Sequence, residues 1–239
     1  MVKSFRSKKY FEEINKLLNN LEETQQENIE LAGSIISESI VNGGILQAFG
    51  SGHSYAAAIE ISGRAGGLIP SKAIIDPAEG EYEKIEGVGI QLSKKIDIEK
   101  SDCFVIISNS GRNPLSIELA KWVKDHGNKL IVVTSLDASK KSNSRHSSGK
   151  KLYEYADVIL DNLGEEGDSV IEIPGLPVKV GPTSSISAAV LLQSAVLEAI
   201  EMMTERGTLP PIYMSENVDG GPDHNERLKK EYAHRIYRK

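Results

Sequence analysis

Two short segments carry the residue types that could do chemistry: Gly50-Ser51-Gly52-His53-Ser54 and Ser108-Asn109-Ser110-Gly111-Arg112-Asn113. Each follows an apolar run and precedes a helical pattern. Backbone N–H groups and the dipole at a helix start favour an anion. Ser and Asn side chains add neutral donors, and glycine lets the backbone come close to a ligand. Two such turns in one chain imply a phosphate with a polar molecule attached. Rival motifs fail. No G-x-x-x-x-G-K-[ST] occurs. The first turn is not G-x-G-x-x-G, because Tyr55 stands at the third glycine position. Ser51 has a glycine directly on each side, without the spacers of a G-x-S-x-G nucleophile elbow.

Acid–base work needs a carboxylate or an imidazole near the same turns. Asp76-Pro77-Ala78-Glu79-Gly80-Glu81 follows the second expected strand, so its acids can face a cleft there. Of the five histidines, His53 lies inside the first turn, and His146 sits in the polar loop Ser144-Arg145-His146-Ser147-Ser148-Gly149. His224 follows Gly221-Pro222-Asp223. His146 and His224 are candidates for proton transfer. His126 suits a helix C-terminus, and His234 reads as surface. No two histidines have ligand spacing and the single Cys103 lies in an apolar run, so no metal site and no cofactor are expected.

The elements that must position these residues follow from periodicity. Residues 3–42 read as a pair of amphipathic helices. The first carries Phe5, Tyr10, Phe11, Ile14, Leu17, Leu18 and Leu21; the second carries Ile29, Leu31, Ala32, Ile35, Ile36 and Ile40. Asn42-Gly43-Gly44 stops the pair. Strands are expected at 45–49, 72–75, 103–108, 130–134 and 157–160, with helices over 54–64 and 114–127. Segments 169–173 and 178–180 flank Pro174-Gly175-Leu176-Pro177, which suits an edge hairpin. Residues 183–203 are apolar almost all round, the pattern of a buried helix packed on the sheet and on a second subunit. A last helix is expected from Arg227. Such alternation predicts an α/β domain: an open five-stranded parallel sheet with helices on both faces. One domain spans 1–239, divided into an N-terminal helical extension (1–42), the sheet core (43–205) and a C-terminal loop and helix (206–239). Ligands of such sheets sit at strand carboxyl ends near the topological switch point, where both polar turns fall.

Bulk composition agrees. The 239 residues are 39% hydrophobic and 26% charged, enough for one packed core. A net charge of −6 argues against nucleic acid as the main partner. The basic clusters Lys3 to Lys9 and Arg227 to Lys239 read as solvated helix faces. One cysteine permits no intrachain disulfide and fits a reducing cytoplasm. No apolar stretch approaches the roughly 18 residues of a membrane span. The opening Met1-Val2-Lys3-Ser4-Phe5-Arg6 lacks a signal-peptide core.

The paired turns resemble those of the sugar isomerase (SIS) domain, a flavodoxin-like, doubly wound phosphosugar-binding fold. Further segments resemble its UPF0309 branch: Arg64-Ala65-Gly66-Gly67, the Ser144–Gly149 loop, Gly181-Pro182-Thr183-Ser184 and Asn217-Val218-Asp219-Gly220-Gly221. The resemblance implies that Ser51, Gly52, His53 and Ser54, with Ser108, Asn109, Ser110, Gly111 and Asn113, ring the phosphate or its sugar. Thr183 and Ser184 would begin the long helix beside them, and the chain would form a homodimer. Pro77-Ala78-Glu79 is similar to the Pro-Ala-Glu turn of arabinose 5-phosphate isomerases, with Asp76 where a histidine precedes the proline there. In phosphoheptose isomerases a catalytic Glu stands ten residues past the first turn's last serine. Here that place holds Arg64, with Glu60 one helical turn earlier, free to substitute or to pair with it. The implied activity is aldose–ketose or amino-sugar phosphate isomerisation through an enediol, with Glu79 or Glu60 as base. The alternatives are a non-catalytic phosphosugar sensor and an ether-cleaving lyase on a muramic-type sugar phosphate. Residues 1–42 are too short and acidic for a DNA-binding module, which favours an enzyme.

Overall fold

The computed structural model describes residues 6–237. Phe5, Lys3 and the terminal Arg238-Lys239 of the basic tail lie outside the described residues. Five strands, β1 (Leu46–Gly50), β2 (Ser71–Ile74), β3 (Cys103–Ile107), β4 (Lys129–Thr134) and β5 (Val158–Asp161), form one all-parallel sheet in the order β2-β1-β3-β4-β5. β1 leads outward to β2 on one side, and the chain then crosses back to β3 on the other. The switch point therefore falls between β1 and β3, the two strands that deliver the polar turns.

Side chains alternate across the strands and fill two layers. Cys103, Val105 and Ile107 of β3 pack with α1 (Arg6–Val41), α2 (Tyr55–Glu60) and α6 (Ser184–Glu205). Phe104 and Ile106 pack on the other face with α3 (Val88–Ser93) and α4 (Pro114–Asp125). A strand covered on both faces must be apolar throughout, which is why β3 reads as a continuous run. Burial raises the Cys103 thiol to about 12 and leaves it a packing residue.

The expected pair of N-terminal helices is a single 36-residue helix. Leu21, Gln25, Ile29, Ala32, Ile36 and Ile40 are all buried at spacings of three or four, so one stripe runs through the polar stretch that suggested a break. No Gly or Pro interrupts that stretch, and buried Gln25 accepts the Asp161 N–H at 3.0 Å. Gly33 brings α1 against α6, since a Cβ there would lie 2.5 Å from Glu198 Cβ. Against the expectation that no stretch approaches a membrane span, α6 is long and apolar enough for one by length and composition. Its packing on α1 and the sheet accounts for that hydropathy, while Val190 and Leu197 remain exposed.

Other boundaries move. α2 ends at Glu60 rather than Arg64, because Gly63 turns left-handed (φ 64°) just beyond it. The last helix, α7 (Gly221–Ile236), begins six residues before Arg227, with Pro222 in its first turn. The edge hairpin is reduced to one antiparallel bridge, Ile171 to Val180. Short α3 and α5 (Leu136–Lys141) were not foreseen; six residues are too few for a readable period.

Candidate functional site

The first turn is set by glycine. Any Cβ on Gly50 would lie 2.3 Å from the Ser54 carbonyl oxygen and 2.8 Å from the Tyr55 nitrogen, so the chain can double back into α2 only without one. Gly52 follows in the left-handed region (φ 54°). Ser51 is buried, and its Oγ donates to Asp76 Oδ2 at 3.3 Å. Asp76 also accepts the N–H groups of Ala78 (3.0 Å) and Gly80 (2.9 Å). Asp76 is thus a strut that folds the 76–87 turn onto the first loop.

The second turn continues β3. Ser108 N–H still reaches the Val133 carbonyl at 3.0 Å. Asn109 is tied sideways: its Oδ1 accepts Asn162 Nδ2 at 2.9 Å, and its carbonyl accepts the Ser135 N–H at 3.1 Å. Gly111 packs against Ser139 and Thr134 behind the turn. Asn113 precedes Pro114 at the start of α4, yet its side chain does not cap the helix. It donates from Nδ2 to Glu83 Oε1 (2.8 Å) and accepts Arg145 Nη1 on Oδ1 (2.9 Å).

A third wall comes from the start of α6. Asp168, held at φ 52°, accepts the N–H groups of Thr183 (3.1 Å) and Ser184 (2.8 Å) and the Ser184 hydroxyl (2.5 Å). A carboxylate therefore occupies the helix N-terminus that an anion would otherwise favour.

These walls enclose a cleft of about 480 Å³ at the carboxyl ends of β1 and β3. Ser51, Gly52, His53, Ser54, Ser108, Asn109, Ser110, Asn113 and Ser184 line it, with Glu79 and residues that sequence reasoning did not place there, among them Gly80, Glu83 and Asp168. Gly111 and Thr183 stand behind it; Thr183 is 2% exposed. Glu79 reaches the cleft from an exposed turn at φ 52°.

The other acid–base candidates lie elsewhere. Glu60 pairs with Arg64 and accepts Gln193 Nε2 on its carbonyl at 2.9 Å. His224 Nε2 meets the Ile212 carbonyl at 3.0 Å. His146 Nδ1 meets Ser148 Oγ at 2.7 Å, and its Nε2 is 3.8 Å from Glu118, a buried carboxylate that accepts the Gly89 N–H at the start of α3. The neighbouring Ser147 donates from its hydroxyl and backbone N–H to Glu86 and holds that carboxyl below its usual value. The Ser144–Gly149 loop thus straps the 76–87 turn from outside and sends only Arg145 toward the cleft wall.

Known proteins match this architecture. Residues 9–135 fit the SIS domain family model. The UPF0309 protein lmo0025 of Listeria monocytogenes is 56% identical over 228 residues, covering 95% of this chain and 97% of that protein. The UPF0309 protein GK1441 of Geobacillus kaustophilus is 38% identical over 236 residues, covering 95% and 94%. Among solved structures, phosphoheptose isomerase GmhA from Neisseria gonorrhoeae superposes with a TM-score of 0.56 at 18% identity, over 82% of this chain and 97% of that one. The Vibrio vulnificus NanR protein, solved with ManNAc-6P, gives 0.54 at 12% identity, over 97% and 70%.

Proposed function

The chain belongs to the SIS domain family, in its UPF0309 branch, and from that premise we propose that the cleft binds a phosphosugar and isomerises it by proton transfer between adjacent carbons. One observation carries the reading: two serine-rich turns from adjacent strands meet at one cleft, together with the carboxylate of Glu79. In this reading the hydroxyls of Ser54, Ser108 and Ser110 hold the phosphate with the dipole of α4 behind them, while Ser51 keeps its proton on Asp76 and shapes the turn. Glu79 takes the C2 proton of the open-chain aldose and returns it at C1, while the proton of the C2 substituent passes to O1, through an enediol or, where C2 carries nitrogen, an enolamine. His53, the one histidine lining the cleft among the described residues, polarises the carbonyl. The exposed Val190 and Leu197 support α6 as a helix covered by a second copy.

A second reading is a phosphosugar sensor, favoured by the exposure of Glu79 and by the placement of Glu60, His146 and His224 away from the cleft. Incubating the protein with a panel of phosphosugars in D2O separates the two. Deuterium entering at C2 of one sugar is the expected result; saturable binding with no exchange in any sugar would select the sensor.

Either reading requires the first turn to keep its shape. Gly50→Ala is expected to weaken phosphosugar binding about ten- to a hundredfold, the worth of one hydrogen bond to a charged group. The same change should cost about 1–3 kcal/mol of stability through overpacking. Calorimetric titration beside a urea melt reads both, and unchanged affinity would remove the first turn from the site.

A further inference from the structure

The charge inventory of the cleft is one-sided. Glu79, Glu83 and Asp168 line it, and among the described residues neither Lys nor Arg does. The Asp168 charge is absorbed by the start of α6. Glu79 has no side-chain partner among the described residues. Glu83 is half-buried, and its side-chain partner is a neutral amide. That amide is itself fixed, because Asn113 is 6% exposed and has its other end on the Arg145 guanidinium. The Glu83 backbone is pinned as well, its carbonyl accepting the Leu115 N–H at 3.2 Å. Arg145 thus orients Glu83 through Asn113 without touching it, and the carboxylate has one oxygen left for the cleft.

A carboxylate held rigidly beside an anion-binding turn repels the phosphate it must coexist with, unless the ligand brings a cation of its own. A hydroxyl in that place would satisfy hydrogen bonding but leave the charge uncompensated. We infer that the ligand is a phosphosugar bearing a free ammonium group, and that Glu83 is the residue that selects it, with Asn113 and Arg145 as its positioning residues. This rests on the phosphosugar reading above and narrows it to amino sugars that are not acylated.

The test is calorimetric titration of the full-length chain, at neutral pH and with EDTA present so that no metal supplies the charge. The probes are three pairs, the 6-phosphates of glucosamine and glucose, mannosamine and mannose, and galactosamine and galactose, together with inorganic phosphate. The amine of at least one pair should bind about ten- to a hundredfold tighter than its hydroxyl counterpart, the worth of one hydrogen bond to a charged group. Glu83→Gln keeps the side chain's shape and an oxygen for Asn113. It should reduce that preference to about twofold, in part by tightening the binding of the hydroxyl sugar and of phosphate, which the carboxylate no longer repels. If no pair is discriminated by the wild-type protein, or if the preference survives in Glu83→Gln, the ammonium assignment is overturned. The phosphosugar reading stands or falls separately: phosphate or hydroxyl sugars that bind without discrimination preserve it, and a protein that binds none of the seven probes loses both.

Discussion

Glu79→Gln should slow solvent exchange at C2 of the bound sugar by about a hundred- to ten-thousandfold, the range of a single general base. Its affinity for the same phosphosugar should stay close to that of the wild-type protein. The separation follows from how the turn is built. The 76–87 turn is folded by Asp76, which holds Ser51, Ala78 and Gly80, and by Glu118, which holds Gly87 and Gly89. Glu79 contributes none of those bonds, so an amide in its place removes the proton acceptor without disturbing the frame. The reading is lost if exchange persists at the wild-type rate, which would hand the base to Glu83, or if affinity collapses in parallel, which would make Glu79 a binding residue. Measuring exchange and calorimetric affinity on the same preparation separates these outcomes.

The cleft was legible because its main walls are local. Ser51 to Ser54 and Ser108 to Asn113 each follow a strand that reads as apolar, and β1 and β3 are neighbours in a sheet whose switch point lies between them. Those residues converge for topological reasons that a sequence carries. Glu83 was not legible for the opposite reason. It stands in Glu81-Tyr82-Glu83-Lys84, a charged stretch that reads as solvated, and it is aimed by Asn113 and Arg145 from thirty and more residues away. Asp168 was hidden likewise, as one acid in a polar linker whose purpose appears only when α6 begins beside it.

Glu60 shows the limit of counting. One helical turn separates it from the position that the resemblance to phosphoheptose isomerases picks out, and at that phase Arg64 and Gln193 take its oxygens. A buried stripe of α1 from Leu21 to Ile40 runs at helical spacing, and only the polarity of the outward face suggested two helices.

Arg235→Ala should cost about 3–5 kcal/mol of stability, the usual result of removing one partner from a buried ion pair. Arg235 reaches from the last turn of α7 to the amino-terminal edge of the sheet, opposite the cleft. Its side chain is 3% exposed, and Asp102, just before β3, is fully buried. Nη2 meets Asp102 Oδ2 at 2.6 Å and Nε meets Asp97 Oδ2 at 3.1 Å. Nη1 lies 2.8 Å from Glu99 Oε2 without the alignment of a hydrogen bond. Asp102 is committed on every side, accepting the Ile45 N–H (3.0 Å), the Glu99 N–H (2.9 Å) and Gln47 Nε2 (2.9 Å), so it cannot turn to water when the guanidinium leaves. Lys is a poor substitute, because an ammonium cannot present the planar fork that spans three carboxylates. Arg235→Lys should therefore recover less than half of the loss. Urea unfolding reads the effect, and phosphosugar affinity measured below the transition should be unchanged, since the pair lies at the far edge of the sheet. A loss below about 1 kcal/mol, the scale of a surface ion pair, would mean that α7 is not anchored there and that the buried acids are balanced by some other group.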